Sequence, residues 1–188
     1  MGTVRSSRKR TTKVDPDRVR GPAVVVVSAC LLGHRCRYDG ATVGDDALRR
    51  RLGALQIAGL DVRPVCPEQL GELGTPRPPA SLAGGAGAEV WKGQARVVRN
   101  DGGGDVTDAF VQGAQRAREA LGPDAPVLAV LKARSPSCGV GRTWRDGEVR
   151  EGDGVFAALL RREGVPLHSD EGFLGTSAAQ ALDDESDA

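Results

Sequence analysis

Aromatic residues and lysine are scarce in this chain of 188 residues. Phe, Trp and Tyr together make up 3% of the sequence, and four lysines stand beside 22 arginines. With so few aromatic rings, the hydrophobic core must consist mainly of Val, Leu and Ala. The hydrophobic content of 39% and the charged content of 27% are ordinary for a soluble globular protein with one real core.

Long apolar runs are also missing. No stretch approaches the roughly 20 residues of a membrane-spanning helix, and the basic N-terminus has no apolar segment before Val24. Neither a membrane span nor a signal peptide is therefore expected, and we expect a cytoplasmic protein. The net charge of +1 excludes a general polyanion binder, so nucleic acid is not an expected partner.

The two ends differ in composition from the rest of the chain. Residues 1–21 are basic and have no apolar periodicity, whereas residues 177–188 end in an acidic run. We expect both to be disordered, solvated tails around a single domain over residues 22–176. Electrostatic contact of the basic tail with nucleic acid or an acidic surface is the alternative.

Strand and helix patterns alternate between the tails. Apolar runs typical of buried strands and apolar spacing typical of helices follow one another at 24–29, 45–58, 60–65, 107–121, 127–131, 154–163 and 165–168. Strands that alternate with helices of this length predict βαβ units. The sequence therefore predicts an α/β fold in which an open, mostly parallel sheet is flanked by helices.

The remaining segments predict shorter or irregular structure. Residues 67–90 are rich in Pro and Gly, and the prolines within 75–79 exclude a regular element there. Residues 95–99 predict a short strand or hairpin, and residues 143–149 predict a hairpin that turns at an Asp-Gly pair. Thr107 is expected to cap the helix that follows it.

Three of the four cysteines, Cys30, Cys66 and Cys138, lie just beyond a predicted strand. The carboxyl ends of parallel strands open on one crevice, so three thiols that are distant in sequence could meet there. Three thiolates at one point can hold a metal or a cluster and still leave a position open for chemistry.

The spacing of the cysteines fits no compact metal motif. Cys30 and Cys36 are six residues apart, and there is no Cys-x-x-Cys pair to signal a zinc ribbon or a thioredoxin-type dithiol. In a reducing compartment, four cysteines favour metal binding or catalysis over disulfides. The alternative is that any one of them is simply a small, buried hydrophobic residue of the core. Their polar, turn-forming neighbours favour a functional role instead.

Cys138 has a second possible role, as a nucleophile. The hydroxyls of Ser135 and Ser137 flank it, and the nearby cations Lys132 and Arg134 are expected to favour its thiolate. A Cys–His pair would need one of the two histidines of the chain, His34 or His168, to lie close by.

Glu68 is the candidate carboxylate, because it follows Cys66 by two residues in a loop expected at the crevice. It could act as a general acid or base or hold a substrate N–H, and an exposed loop glutamate is the alternative. Arg35, Arg37 and Arg77 are candidates for the mouth of the same crevice. No glycine motif of a nucleotide phosphate loop is present.

Several motifs, in matching order from about Val24 to Glu171, resemble the DUF523 family. Any one alone would be weak, but together they are specific. They are Ser28-Ala29-Cys30-Leu31-Leu32-Gly33 with Cys36-Arg37-Tyr38-Asp39-Gly40, Cys66-Pro67-Glu68, Thr75-Pro76-Arg77-Pro78-Pro79, Asp105-Val106-Thr107, Lys132-Ala133-Arg134-Ser135-Pro136-Ser137-Cys138-Gly139 and Gly152-Asp153-Gly154-Val155.

The characterised branch of that family is thiouracil desulfidase, an enzyme with a Rossmann-like fold and a [4Fe-4S] cluster. The resemblance implies that Cys30, Cys66 and Cys138 hold three irons and that the fourth iron binds the sulfur of the substrate. It also implies acid/base roles for Glu68 and Ser135. Cys36 falls where family members often carry another residue, so it is not counted as a ligand.

Three functions from different classes follow from these features. The first is a cluster-dependent desulfidase that acts on a thiolated nucleobase or a similar thiocarbonyl compound, since a cluster with three thiolates leaves one iron as a Lewis acid. The second is a binding or structural protein in which Cys36 completes a zinc site or a closed, electron-transferring cluster. The third is a cluster-free thiol enzyme that uses Cys138.

Overall fold

The computed structural model describes residues 21–43 and 45–175. The segments predicted as tails, 1–21 and 177–188, lie outside these ranges except for Gly21. Along the described chain the elements are β1 (Val24–Ser28), a 3-10 turn (Ala29–Leu32), α1 (Asp46–Ile57), β2 (Asp61–Val65), α2 (Pro67–Leu70), β3 (Ala80–Ala83), α3 (Gly87–Trp91), β4 (Arg96–Arg99), α4 (Thr107–Ala120), β5 (Leu128–Leu131), β6 (Arg142–Arg145), β7 (Glu148–Glu151), α5 (Val155–Arg162), β8 (Leu167–Ser169) and α6 (Asp170–Phe173).

The first sheet confirms the predicted α/β architecture. Its four strands run in the order β2-β1-β5-β8 and all pair in parallel. In the register of the central strands, Val26 of β1 lies opposite Arg63 of β2 and Ala129 of β5. Strand β2, the next strand along the chain, lies on one side of β1, and β5 lies on its other side. A reversal of this kind opens a crevice at the carboxyl ends of the two central strands.

The four valines of β1 explain its central position. β-Branched side chains suit a strand that is buried on both faces. Val25 and Val27 point into one core cluster with α1 and α6, and Val26 points into another with α4 and α5. All three are fully buried. Helices therefore cover both faces of the sheet.

Helix α1 forms as the sequence predicts. Leu48, Leu52 and Leu55 lie on one face and are buried against the sheet. Asp45 precedes the helix, and its Oδ1 accepts a hydrogen bond of 2.9 Å from the Leu48 N–H. That bond satisfies one of the N–H groups that a helix leaves free at its start.

The expected cap at Thr107 is wrong, because Thr107 is the first residue of α4 and Val106 precedes the helix. Thr107 Oγ1 accepts a hydrogen bond of 2.8 Å from the Val97 N–H, so the hydroxyl is taken up by β4. The Thr107 N–H itself donates to Asp105 Oδ1 at 2.8 Å. The threonine thus joins the helix to a neighbouring strand.

A second sheet, with the order β4-β3-β6-β7, was not predicted. It contains the strand predicted at 95–99, which forms as β4, and the predicted hairpin, which turns at Asp146 and Gly147 with positive φ angles of 51° and 85°. Its partner strand β3 lies within residues 67–90, which also form the short helices α2 and α3. These elements are too short to show a periodic pattern. Residues 75–79 are irregular, as expected.

Within residues 21–43 and 45–175, the structure contains no helix with the length and apolar character needed to cross a membrane.

Candidate active site

A cleft of about 540 Å³ lies at the carboxyl ends of β1, β2 and β5, and residues of the second sheet close its other side. Its volume is in the range of small-molecule sites, about 300–1,000 Å³. All four cysteines line it. The structure therefore brings Cys30, Cys66 and Cys138 together from three separate strand ends and adds Cys36.

Each of the three strand-end cysteines is held by a different local element. Cys30 lies in the 3-10 turn that follows β1. Cys66 occupies the position just before α2, where Pro67 begins the helix. Cys138 lies in the loop after β5. Cys30 and Cys138 are 7% and 6% exposed, so their thiols face the cleft from within the protein wall.

Cys36 lies between two of the other thiols. The Cys66 thiol lies 3.7 Å from the Cys36 carbonyl oxygen, and the pKa of Cys36 responds to both Cys30 and Cys66. The hydrogen bond with Cys30 raises the pKa of Cys36 to about 11, although the contact with Cys66 acts in the opposite direction. The hydrogen bond with Cys36, followed by burial, raises the pKa of Cys66. Cys36 and Cys66 therefore influence each other's ionisation.

The loop around Cys138 is fixed by two sets of hydrogen bonds. Ser135 Oγ accepts from the Cys138 N–H at 3.1 Å and from the Ser137 N–H at 3.2 Å. On the opposite side, the N–H of Phe156 at the start of α5 donates to the Ser137 carbonyl at 2.8 Å. A Cβ atom on Gly154 would lie 2.5 Å from that carbonyl oxygen, so only glycine allows this approach.

Burial raises the pKa of the Cys138 thiol to about 12, which opposes the expected thiolate. The cations expected to lower it are engaged elsewhere. Lys132 Nζ lies 2.7 Å from Asp170 Oδ2, and Arg134 pairs with Glu171. Both carboxylates belong to α6, which the strand and helix patterns did not predict. A thiolate at Cys138 therefore needs some other source of stabilisation.

Glu68 lies in the first turn of α2 and reaches the cleft as part of an ion pair with Arg77. Arg77 donates to Glu68 Oε2 from Nε at 2.9 Å and from Nη2 at 2.6 Å. Nη2 also donates to the Cys36 carbonyl at 3.0 Å. The side chains are 9% and 16% exposed, so the pair is largely shielded from water. Arg77 thus ties the candidate carboxylate to the cysteine loop.

Two glycines place α2, and with it Cys66 and Glu68. A Cβ on Gly113 of α4 would lie 2.0 Å from the Pro67 carbonyl oxygen, and a Cβ on Gly71 would lie 2.1 Å from the Ala109 carbonyl oxygen. The backbones of α2 and α4 therefore approach more closely than a residue with a side chain at either position would permit. No sequence pattern signals this contact, since neither glycine has a positive φ or lies in a turn motif.

Three of the candidate residues do not reach the cleft. Neither His34 nor His168 lines it, and His168 instead packs edge to face on Phe173 with 5.9 Å between the ring centroids. Neither histidine therefore meets the condition for a Cys–His pair in the cleft. Arg35 is exposed and does not line the cleft, whereas Arg37 does.

Among the described residues, no group of three or more His, Cys, Asp or Glu side chains is arranged to hold a metal ion. A zinc site needs its sulfur ligands about 2.3 Å from a single ion. The cleft thus offers several thiols, a shielded carboxylate and a flanking hydroxyl, without the geometry of a mononuclear site.

A family model described as 2-thiouracil desulfurase matches residues 25–172. The chain belongs to the 2-thiouracil desulfurase family. One relative of the chain is the uncharacterized protein YbbK of Bacillus subtilis (strain 168). It is 34% identical over 150 residues, which span 78% of this chain and 95% of YbbK.

A solved structure extends the comparison. The [4Fe-4S]-dependent thiouracil desulfidase TudS (DUF523Vcz) is 37% identical to this chain and superposes with a TM-score of 0.68. The match covers 87% of this chain and 99% of that one. The resemblance drawn from the sequence motifs is therefore confirmed, and so is the α/β fold.

Proposed function

We propose that this protein is a [4Fe-4S]-dependent desulfidase that replaces the C=S group of a thiolated nucleobase by C=O and releases sulfide. The observation that carries the proposal is the convergence of Cys30, Cys66 and Cys138 on one cleft beside Glu68. The family and the solved relative TudS supply the reaction class and the kind of cofactor.

The donor set fits such a cluster. Iron–sulfur clusters are held by cysteine thiolates, each on a different iron, so the ligands surround a group rather than a single ion. Cys30, Cys66 and Cys138 come from three separate loops and face a common volume, which suits a ligand set of this kind. Cys36 is left outside the set in this proposal. When bound, the cluster supplies a Lewis-acidic iron with an open position for sulfur.

The reaction consumes one water and moves two protons. The water oxygen forms the new bond to the carbon of C=S, the carbon–sulfur bond breaks, and both protons of the water leave with the sulfur as hydrogen sulfide. A carboxylate within reach of that water can accept its proton and pass it on. Glu68 takes this role in the proposal. Its Oε2 is occupied by Arg77, so Oε1 is the oxygen that handles the proton.

Ser135 and Arg77 support this chemistry from two sides. Ser135 Oγ accepts hydrogen bonds from two backbone N–H groups of the Cys138 loop. A hydroxyl group that only accepts hydrogen bonds still has its own proton to donate. We assign that proton to the substrate, in agreement with the acid/base role proposed for Ser135. Arg77 holds the Glu68 side chain in one orientation and does not itself exchange protons, since a guanidinium stays protonated.

The lining of the cleft favours an uncharged, flat substrate. Two partly exposed aromatic residues, Tyr38 and Trp144, line it at 43% and 44% exposure and offer ring faces for stacking. The lining cations of the described chain all have carboxylate partners, in the pairs Arg37–Asp39, Arg77–Glu68, Lys132–Asp170 and Arg134–Glu171. A thiolated nucleobase therefore finds stacking surfaces and hydrogen-bonding groups without an unpaired positive charge.

We further propose that the protein works in the cytoplasm. All four cysteines are free thiols. Free thiols and a thiolate-bound cluster persist in a reducing compartment, whereas an oxidising compartment converts neighbouring thiols to disulfides.

The test is anaerobic purification of the full chain, with assays of iron, acid-labile sulfide and zinc, followed by incubation with 2-thiouracil. The proposal predicts iron and sulfide in the purified protein and the release of sulfide together with uracil. Zinc without iron would favour the four-cysteine structural site instead. Sulfide release from protein without iron would favour the thiol enzyme at Cys138.

A further inference from the structure

A second cavity, of about 220 Å³, adjoins the main cleft. Glu68, Arg77 and Ala80 line both spaces, so the ion pair of the candidate site lies in the wall between them. The proposed reaction uses Glu68 from the side of the substrate, in the main cleft. It gives the second cavity no role.

The second cavity extends from the protein surface to this shielded ion pair. The exposed residues Gly74 and Pro78 lie along it, and so does the Arg99 side chain, which is 40% exposed. At its inner end, the side chains of Arg77 and Glu68 are only 9% and 16% exposed. One water molecule takes up about 30 Å³ in the liquid, so the cavity has room for several.

The hydrogen bonds of the ion pair show which of its atoms can hold water. Nη1 of Arg77 donates to the Gly74 carbonyl at 3.0 Å and to Thr75 Oγ1 at 3.1 Å. Its Nε and Nη2 donate to Glu68 Oε2, and Nη2 also donates to the Cys36 carbonyl. These bonds use all five N–H groups of the guanidinium. Glu68 Oε1 accepts from no donor among the described residues, so it is the atom of the pair that is left to bind water.

We propose that the second cavity is a water inlet, which supplies Glu68 with the water that each turnover consumes while substrate occupies the main cleft. A substrate within reach of Glu68 covers the carboxylate on the side of the main cleft, so the attacking water has to arrive from the other side. Its oxygen ends in the C=O group of the product, and its two protons leave with the sulfur as hydrogen sulfide. The inference rests on the proposed function, because that function assigns the water to Glu68.

Two substitutions in the full chain fill the inlet from different elements. A Cβ at Gly74 meets no atom within 4 Å, and the φ of this residue is not positive, so Gly74→Phe adds a ring without backbone strain. Val106→Phe fills the cavity from the residue before α4, which forms none of the hydrogen bonds of Arg77. Gly53→Phe is the matched control, since Gly53 is equally free of contacts and lines neither space. Circular dichroism checks that each variant is folded.

The first readout is the oxidation of Phe110 by hydroxyl radicals, which an X-ray beam generates from water, measured by mass spectrometry of the peptide. Phe110 lines the second cavity but not the main cleft and is 1% exposed, so its oxidation reports water held in the cavity. The parent protein and Gly53→Phe are expected to show this oxidation, and Gly74→Phe is expected to lose it. The measurement needs no turnover. Absence of Phe110 oxidation in the parent would mean a dry cavity and would overturn the inference.

The second readout is the rate of sulfide release from 2-thiouracil. In Gly74→Phe and Val106→Phe, kcat is expected to fall by roughly tenfold, less than the loss of about 10²–10⁴-fold that removal of a general acid or base causes. The KM and the iron content should stay at the parent values, because the main cleft is unchanged, and Gly53→Phe should keep the parent kcat. A parent-like kcat in both filled variants would overturn the inlet. A parent protein without iron or sulfide release would instead refute the proposed function, whether or not the cavity holds water.

Discussion

Arg77 binds a single carboxylate oxygen of Glu68 through two N–H groups, with distances of 2.9 Å from Nε and 2.6 Å from Nη2 to Oε2. The same guanidinium reaches the Cys36 carbonyl at 3.0 Å. One side chain therefore fixes the candidate proton carrier relative to the loop that contains the thiols. A planar fork with several donors can hold both partners at once, whereas an ammonium acts as a point charge.

The first prediction concerns Arg77→Lys. The lysine keeps the positive charge but cannot hold Glu68 and the Cys36 carbonyl in the same geometry. Sulfide release from 2-thiouracil is expected to fall by about 10²-fold, which is typical for a misplaced catalytic group. Iron content is expected to stay at the parent value, because no cluster ligand is changed.

The control for Arg77→Lys is Arg116→Lys. Arg116 forms a similar ion pair with Glu72, at 2.6 Å, but lies on the surface with a side-chain exposure of 43%. The Arg116→Lys variant should release sulfide at the rate of the parent protein. A rate for Arg77→Lys equal to that of Arg116→Lys would show that the fork does not position Glu68.

Glu68→Gln is expected to lower sulfide release by about 10²–10⁴-fold, the usual contribution of a general acid or base. The amide keeps the size of the side chain and can still accept from Arg77, so the fold and the iron content should not change. Steady-state rates and iron assays on the purified variant measure the two effects separately. Glu72→Gln, on the exposed side of the same segment, serves as the control. Loss of iron together with activity would instead indicate that Glu68 is needed to build the site.

Gly113→Ala tests the contact that places α2. The new Cβ would lie 2.0 Å from the Pro67 carbonyl oxygen, so α2 must move away from α4. Overpacking of this kind costs about 1–3 kcal/mol in the free energy of unfolding. Because Cys66 and Glu68 move with α2, iron content and activity are expected to fall as well.

Gly53→Ala is the matched control within a helix. Gly53 lies in α1, and a Cβ there meets no atom within 4 Å. Its free energy of unfolding should increase by about 0.5–1 kcal/mol, since alanine is the better helix former. Urea denaturation of both variants gives the comparison. Equal stability of the two variants would mean that α2 and α4 can separate without cost.

A pH-dependent contribution to stability is expected from Asp39. The hydrogen bond from Arg37 lowers the pKa of Asp39 from 3.8 to about 2. The Asp39 carboxylate therefore binds a proton at higher pH in the unfolded chain than in the native protein. As a result, the ion pair stabilises the protein above about pH 4 and loses this effect as the pH falls towards 2. The side chains are 28% and 36% exposed, and solvent limits the contribution to under about 1 kcal/mol.

Asp39→Asn removes that contribution. Urea denaturation should show the variant to be slightly less stable than the parent at neutral pH, with a difference that shrinks below about pH 4. A difference that stays constant across this range would contradict the assignment of the effect to the Asp39 carboxylate.

The long elements of the fold could be predicted because their side chains repeat. Leu48, Leu52 and Leu55 mark one face of α1, and the run of valines in β1 marks a strand buried on both sides. The second sheet has no comparable signal, because β3 has four residues and pairs with strands that are distant in sequence. Its formation depends on tertiary contacts that no local pattern contains.

Some features of the site could likewise be predicted from the sequence, and others could not. The position of Cys30, Cys66 and Cys138 after strands indicated that they could meet, because parallel strands share one open edge. The surroundings of the Cys138 thiol could not be predicted from its neighbours along the chain. Asp170 and Glu171 take up the cations, and burial raises the pKa of the thiol. The link from Arg77 to Glu68 also depends on folding, since it joins the first turn of α2 to the irregular, proline-rich segment that follows.

The central claim is that three thiols hold the cluster and that the fourth does not. It is tested most directly by the iron and acid-labile sulfide content of the four single Cys→Ser variants, each purified without oxygen. We predict that Cys30→Ser, Cys66→Ser and Cys138→Ser each lose the cluster, whereas Cys36→Ser retains iron and sulfide at the level of the parent protein. Equal loss in all four variants would contradict the account, because it would show a closed site with four cysteine ligands.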